Sequence, residues 1–142
     1  MENLVLPAPP PRIFVFDFDQ TITHVHTGGC AVNPVEIEEA YIRANLKEGF
    51  VELVQYLEQL GCRTYIATYG DDSFGDDSFG ANRFGPKTAL AGHALVKRYM
   101  DVALGEGQEH FYFDHDTDGE IWGTIIAKFS GDGKHYHLER IL

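Results

Sequence analysis

The chain has 142 residues, 44% hydrophobic and 13% aromatic, enough for one domain with a sizeable core and too apolar for a disordered tail. Eleven basic against 22 acidic residues give a net charge of −11, which argues against nucleic acid and anionic membranes as main partners. No apolar run approaches the roughly 18 residues that span a bilayer, and the N-terminus carries no signal-peptide pattern. Cys30 and Cys62 lack CxxC spacing and read as reduced thiols of a cytoplasmic protein.

Residues 1–11 form an extended, proline-rich lead-in. The apolar run Ile13 to Phe16 predicts a strand buried on both faces of a parallel sheet. "HVHTGGCAVNP" then reads as a loop or short flap, and "VEIEEAYIRANLKEG" as helical with an uneven apolar face. Phe50, Leu53, Val54, Leu57 and Leu60 follow helical spacing, with Gly61 placed as a C-terminal cap. "CRTYIAT" predicts a second strand ending at Thr68, completing a βαβ unit.

The tandem repeat "DDSFGDDSFG" lies within a Gly/Asp-rich loop over residues 70–86. Residues 87–104 predict a helix with Leu90, Ala94, Leu95, Tyr99 and Val102 toward the core. "HFYF" and "EIWGTIIAKF" predict two strands around the acidic turn "DHDTDG", and a last helix starts near Lys134.

The chemistry concentrates in "VFDFDQTIT". Alternation puts residues i and i+2 of a strand on one face, so Asp17 and Asp19 can approach one ligand where the strand runs out. Two carboxylates that close are costly to keep charged without a cation. A hard, oxygen-seeking ion such as Mg²⁺ suits them. One carboxylate can then attack phosphorus while the other manages protons. A βαβ unit brings Thr68 to the same sheet edge, where open α/β sheets bind ligands.

This stretch resembles motif I of the haloacid dehalogenase (HAD) superfamily, hhhhDxDx(T/V), and "TYIAT" resembles its motif II. The resemblance covers residues 12 to 68. It implies an α/β fold, a Rossmannoid HAD-like parallel sheet flanked by helices, with a minimal cap domain or none, in a single domain over 1–142. It implies that Asp17 is a nucleophile forming an aspartyl-phosphate, Asp19 the general acid/base, and Thr68 a contact to the phosphoryl group. Mg²⁺ would touch the Asp17 carboxylate and the Asp19 main-chain carbonyl. The implied activity is hydrolysis of a phosphate monoester, on a small phosphorylated substrate or a phosphoprotein.

The family next needs a lysine beside the phosphate and an acidic pair on a further strand, and two assignments compete. Lys134 fits the order of elements, but only eight residues follow it, so the chain looks truncated before the acidic pair. Lys87 opens "KTAL" and would pair with Asp114, Asp116 and Asp118 as the metal carboxylates, although the segment before it lacks the expected helix and strand. A catalytically inactive HAD-like domain with a binding role is the alternative to the enzyme.

"DHDTDG" also matches the opening of an EF-hand loop, but Ile125 replaces the bidentate glutamate and the flanks read as strands. It is a ligand-free acidic turn, a calcium module of another type, or the acidic pair above. His24 with His26, and His135 with His137, lack a third ligand at metal spacing and read as solvated or substrate-loop histidines.

Overall fold

A computed structural model describes residues 12–31, 33–72, 90–131 and 133–142. The proline-rich lead-in, Lys87 and all but the first residues of the 70–86 loop lie outside them. The chain folds as mixed α/β. Three short strands, β1 (Ile13–Phe16), β3 (Arg63–Thr68) and β7 (Ile125–Ala127), make a parallel sheet in the order β1-β3-β7. Phe14 pairs with Thr64, and Ile66 with Ile125.

Parallel neighbours need crossover connections. Between β1 and β3 run the two-residue strand β2 (Cys30–Ala31), a 3-10 turn (Pro34–Ile37) and helices α1 (Glu39–Asn45) and α2 (Phe50–Gln59). The 3-10 turn is closed by a capping box between Asn33 and Glu36. Between β3 and β7 come β4 (Leu90–Ala91), α3 (Gly92–Leu104), β5 (Phe113–His115) and β6 (Ile121–Gly123), and α4 (His135–Ile141) follows β7. No helix among the described residues is long and apolar enough to cross a membrane.

Phe16, Ile66 and Ile125 place the three parallel strands in one core with Phe50, Tyr99 and Met100 from the helices. Phe16 meets Phe50 edge-on at 5.3 Å between ring centroids, and Phe18 meets Tyr99 at 5.1 Å. Burying a side chain of this size stabilises by about 1.5–3 kcal/mol. Phe18 matters for the site. It is 1% exposed and sits between Asp17 and Asp19, so Phe16 and Phe18 are both buried with the exposed Asp17 between them. Ile13, Phe14 and Val15 are only partly buried, short of the strand buried on both faces that the apolar run predicts.

Several expectations are corrected. The predicted helix over 87–104 begins at Gly92, because Leu90 and Ala91 pair antiparallel with β2. Asp72 fixes that start: its Oδ1 accepts the His93 N–H at 2.8 Å. The loop "HVHTGGCAVNP" therefore contributes a strand, β2. On α2, Phe50, Val54 and Leu57 are buried while Leu53 and Leu60 are exposed, so the core stripe is narrower than predicted.

"EIWGTIIAKF" is two strands in different sheets. β6 pairs with β5 as an antiparallel hairpin, and β7 joins β3. The break is made by Thr124, whose Oγ1 donates to the His110 carbonyl while Thr124 N–H and Ile125 N–H both donate to the Tyr112 carbonyl. Gly123 has φ +136, and a Cβ there would lie 2.4 Å from the Tyr112 oxygen, so this crossing needs glycine.

Candidate active site

All three parallel strands end at one edge, which brings Asp17 beside Thr68. Immediately after Asp17 the chain turns tightly. The Phe18 carbonyl accepts from the N–H groups of Thr21, Ile22 and Thr23, and Gln20 is held at φ +61. A non-glycine residue in that region is uncommon and stores strain. The threonine bracing the turn is Thr23, which is buried, accepts the Gln20 N–H at 3.0 Å and donates to the Val25 carbonyl at 2.9 Å. Thr21, the threonine of the sequence pattern, is exposed.

The two carboxylates differ in setting. The Asp17 side chain is 49% exposed and that of Asp19 is 14% exposed. Asp19 Oδ1 accepts the Thr27 N–H at 2.9 Å and the Thr27 hydroxyl. Its Oδ2 lies 3.8 Å from His26 Nδ1. The loop carrying Thr27 and His26 is anchored from below by Asn45, whose Oδ1 accepts the Val25 N–H at 2.9 Å and whose Nδ2 donates to the Tyr99 hydroxyl at 2.8 Å.

Lys134 arrives from 117 positions away. Its Nζ donates to Asp17 Oδ1 at 3.0 Å and to the Ala67 carbonyl at 2.8 Å, and stands 4.1 Å from the centroid of the Tyr69 ring. The ammonium thus has a carboxylate, a carbonyl and a ring face around it. Thr68 is buried, and its Oγ1 accepts the Gly70 N–H at 3.3 Å, which leaves its hydroxyl proton to donate. The Thr68 carbonyl accepts from the Lys128 N–H at 3.0 Å and from His137 Nε2 at 2.8 Å.

A cleft of about 480 Å³ opens over these groups, lined by Asp17, Asp19, His26, Thr68, Tyr69 and Phe129 together with Gln20 and the main chain of Gly28, Gly29 and Gly70. The loops after β1 and β3 meet at its floor, where a Cβ on Gly70 would come within 2.9 Å of Gly29 Cα. Only glycine backbones approach that closely.

The structure therefore brings together Asp17, Asp19, Thr68 and Lys134. It does not add Asp114, Asp116 and Asp118, which are exposed on and beside the β5–β6 hairpin. β5 is outside the parallel sheet. Asp116 Oδ1 accepts the N–H groups of Asp118 and Glu120, both at 2.9 Å, so the acidic run closes a hairpin turn. Asp116 lines a separate and larger cavity, about 600 Å³, with His93 and Asp72. There His93 bonds Asp72 through Nδ1 at 2.9 Å and accepts the Ala127 N–H through Nε2 at 3.2 Å, so neither ring nitrogen is left for catalysis.

The histidine expectations divide. His24, His26 and His135 are exposed. His137 is completely buried, contrary to the solvated reading, and its Nδ1 has no hydrogen-bond partner. Burial pushes its pKa below the ordinary 6.5, as does the Lys134 charge, against opposing pulls from the Thr68 bond, the Lys128 main chain and Asp17. Tyr69 and Phe129 also escaped the sequence reading. Tyr69 directly follows the motif at Thr68, but nothing in the sequence marks Phe129. Cys30 and Cys62 form no disulfide, and burial first, then Glu36 and Asp19, raise the Cys30 pKa and keep it a thiol.

The donor set fits a Mg²⁺ ion, which retains several waters and binds through one or two carboxylates. Asp17 and Asp19 follow one strand end and line one cleft. Among the described residues no point gathers three or more His, Cys, Asp or Glu side chains, so water and phosphate oxygens would complete the shell. No protein-family model matches this chain, and no curated protein or solved structure matches it.

Proposed function

We propose that this cleft hydrolyses phosphate monoesters in the manner of the HAD superfamily, through an aspartyl-phosphate on Asp17. The observation that carries the reading is the 3.0 Å bond from Lys134 to Asp17, with Thr68 at the end of the neighbouring strand. An isolated surface ion pair would need neither the Ala67 carbonyl nor the Tyr69 ring around the ammonium. A cation held against a half-exposed carboxylate at a sheet edge is placed to neutralise a dianion arriving there.

In this mechanism an Asp17 oxygen attacks phosphorus, the ester P–O bond breaks, and the departing oxygen takes a proton from Asp19. Water then attacks the phosphorus of the acyl phosphate and gives its proton to Asp19, releasing inorganic phosphate and the Asp17 carboxylate. Asp19 Oδ2, the oxygen outside the Thr27 bonds, is the atom that moves the proton. The Thr68 hydroxyl donates to a phosphoryl oxygen and Lys134 balances its charge. Mg²⁺, held by the Asp17 carboxylate and the Asp19 carbonyl, would supply further charge neutralisation when bound.

The test is hydrolysis of para-nitrophenyl phosphate by the folded chain, with Mg²⁺ or chelator, wild type against Asp17→Asn. Turnover that needs both Mg²⁺ and Asp17 supports the proposal. A folded wild type without turnover, or turnover unchanged in Asp17→Asn, overturns it and favours a binding role.

A further inference from the structure

The cleft beside Asp17 is lined by unlike groups: the carboxylates of Asp17 and Asp19 with Thr68, and also Tyr69, Phe129 and glycine main chain. Lys134 bonds Asp17 from outside that lining. Phe129 is 63% exposed although it stands only two residues past a core strand. A lone exposed phenylalanine is ordinary. One that shares a cleft with Asp17, in a lining that carries no side chains at Gly28, Gly29 and Gly70, leaves a flat group both room and an aromatic face.

Charge narrows the choice. Among the described residues the cleft lining includes no lysine or arginine, and the nearby ammonium of Lys134 is already shared with Asp17. In a chain of net charge −11, a second phosphate or a polyphosphate would meet carboxylates rather than cations. Tyr69 presents one part of its ring to Lys134 and packs edge-on against His137 at 5.8 Å, so Phe129 is the aromatic face left for a ligand.

Building on the phosphohydrolase reading above, we infer that the substrate is a monophosphate ester of an aromatic group, an aryl or arylmethyl phosphate whose ring lies against Phe129. Polyphosphates are the class this cleft disfavours.

Benzyl phosphate and butyl phosphate test this, because both lose an alcohol and differ mainly in the ring. Wild type should favour the benzyl ester by about two- to tenfold in kcat/KM, the size of one aromatic contact. Phe129→Ala should lower kcat/KM for the benzyl ester more than for the butyl ester, mainly through KM, and so remove that preference. Equal use of the two esters, or equal losses in Phe129→Ala, overturns the inference. If wild type turns over neither, the hydrolase reading fails separately, and NMR titration with benzylphosphonate and butylphosphonate decides. A benzyl preference lost in Phe129→Ala sustains the aromatic-phosphate site, and equal binding or none overturns it.

Discussion

His137 Nε2 lies 2.8 Å from the main-chain carbonyl of Thr68. A carbonyl only accepts, so Nε2 carries the proton, and the neutral ring keeps its bare lone pair at the buried, unpartnered Nδ1. The bond ties the helix bearing Lys134 to the strand end bearing Thr68, three residues along the helix from that lysine. Around the ring stand Lys134, Asp17, the Lys128 main chain and the rings of Tyr69 and Tyr136.

Stability should therefore depend on pH through this residue. Its native pKa is below the unfolded 6.5, so between the two values the unfolded chain binds more protons. The contribution is complete above 6.5 and is lost as pH falls through the lowered native value. Thermal unfolding of wild type should move to lower temperature between about pH 7.5 and 5, a window above most carboxylate titration. His137→Gln should flatten that limb, and an unchanged slope would sink the assignment.

Lys134→Met separates chemistry from stability. The Asp17 pair is partly exposed, so losing it should change unfolding free energy by less than about 1 kcal/mol. Under the mechanism proposed above, the rate of hydrolysis should fall by about a hundredfold or more, because that mechanism puts the lost charge where charge develops. Stability and steady-state kinetics on one preparation check both halves.

Thr27 orients Asp19 and also accepts the Gly29 N–H at 3.1 Å through its hydroxyl. Thr27→Val should lower kcat by about ten- to a hundredfold through misplacement of the carboxylate. Thr27→Ser, which keeps the hydroxyl, should restore most of it. Loss of activity to the same extent in both variants would assign Thr27 to packing.

The Asn45–Tyr99 bond underpins the loop from the core. Tyr99→Phe leaves the buried Asn45 amide without this acceptor and should cost about 1–2 kcal/mol in urea unfolding. Asn45→Ala also abandons the Val25 N–H, so its cost should be greater, about 2–4 kcal/mol. A smaller effect in Asn45→Ala than in Tyr99→Phe would contradict the anchoring role.

Periodicity carried the parts of this fold that depend on neighbours in sequence. The bounds of β1, the end of β3 at Thr68 and the helix after Lys134 all follow from local apolar runs and their stops. Asp17, Asp19 and Thr68 were legible as neighbours because the D-x-D pattern and strand ends fix the side of the sheet. Lys134 was expected only from the order of elements in the resemblance, against Lys87, which lies outside the described residues. Thr124 was not. Its break of one apolar run into two strands depends on the Tyr112 and His110 carbonyls, which are known only once the chain has folded. His137 and Phe129 failed for a similar reason: exposure is a property of packing, and each sits opposite to its hydropathy.

The seven residues of α4 are too few to persist as a helix alone. Its bonds to the rest of the fold include those of Lys134, His137 and Arg140, the last to Glu120 at 2.6 Å. Local opening of this short segment would withdraw the ammonium from Asp17 while the Phe16–Phe50 core stayed intact. Amide hydrogens of α4 should exchange faster than those of β3, and warming should silence the cleft before the protein melts.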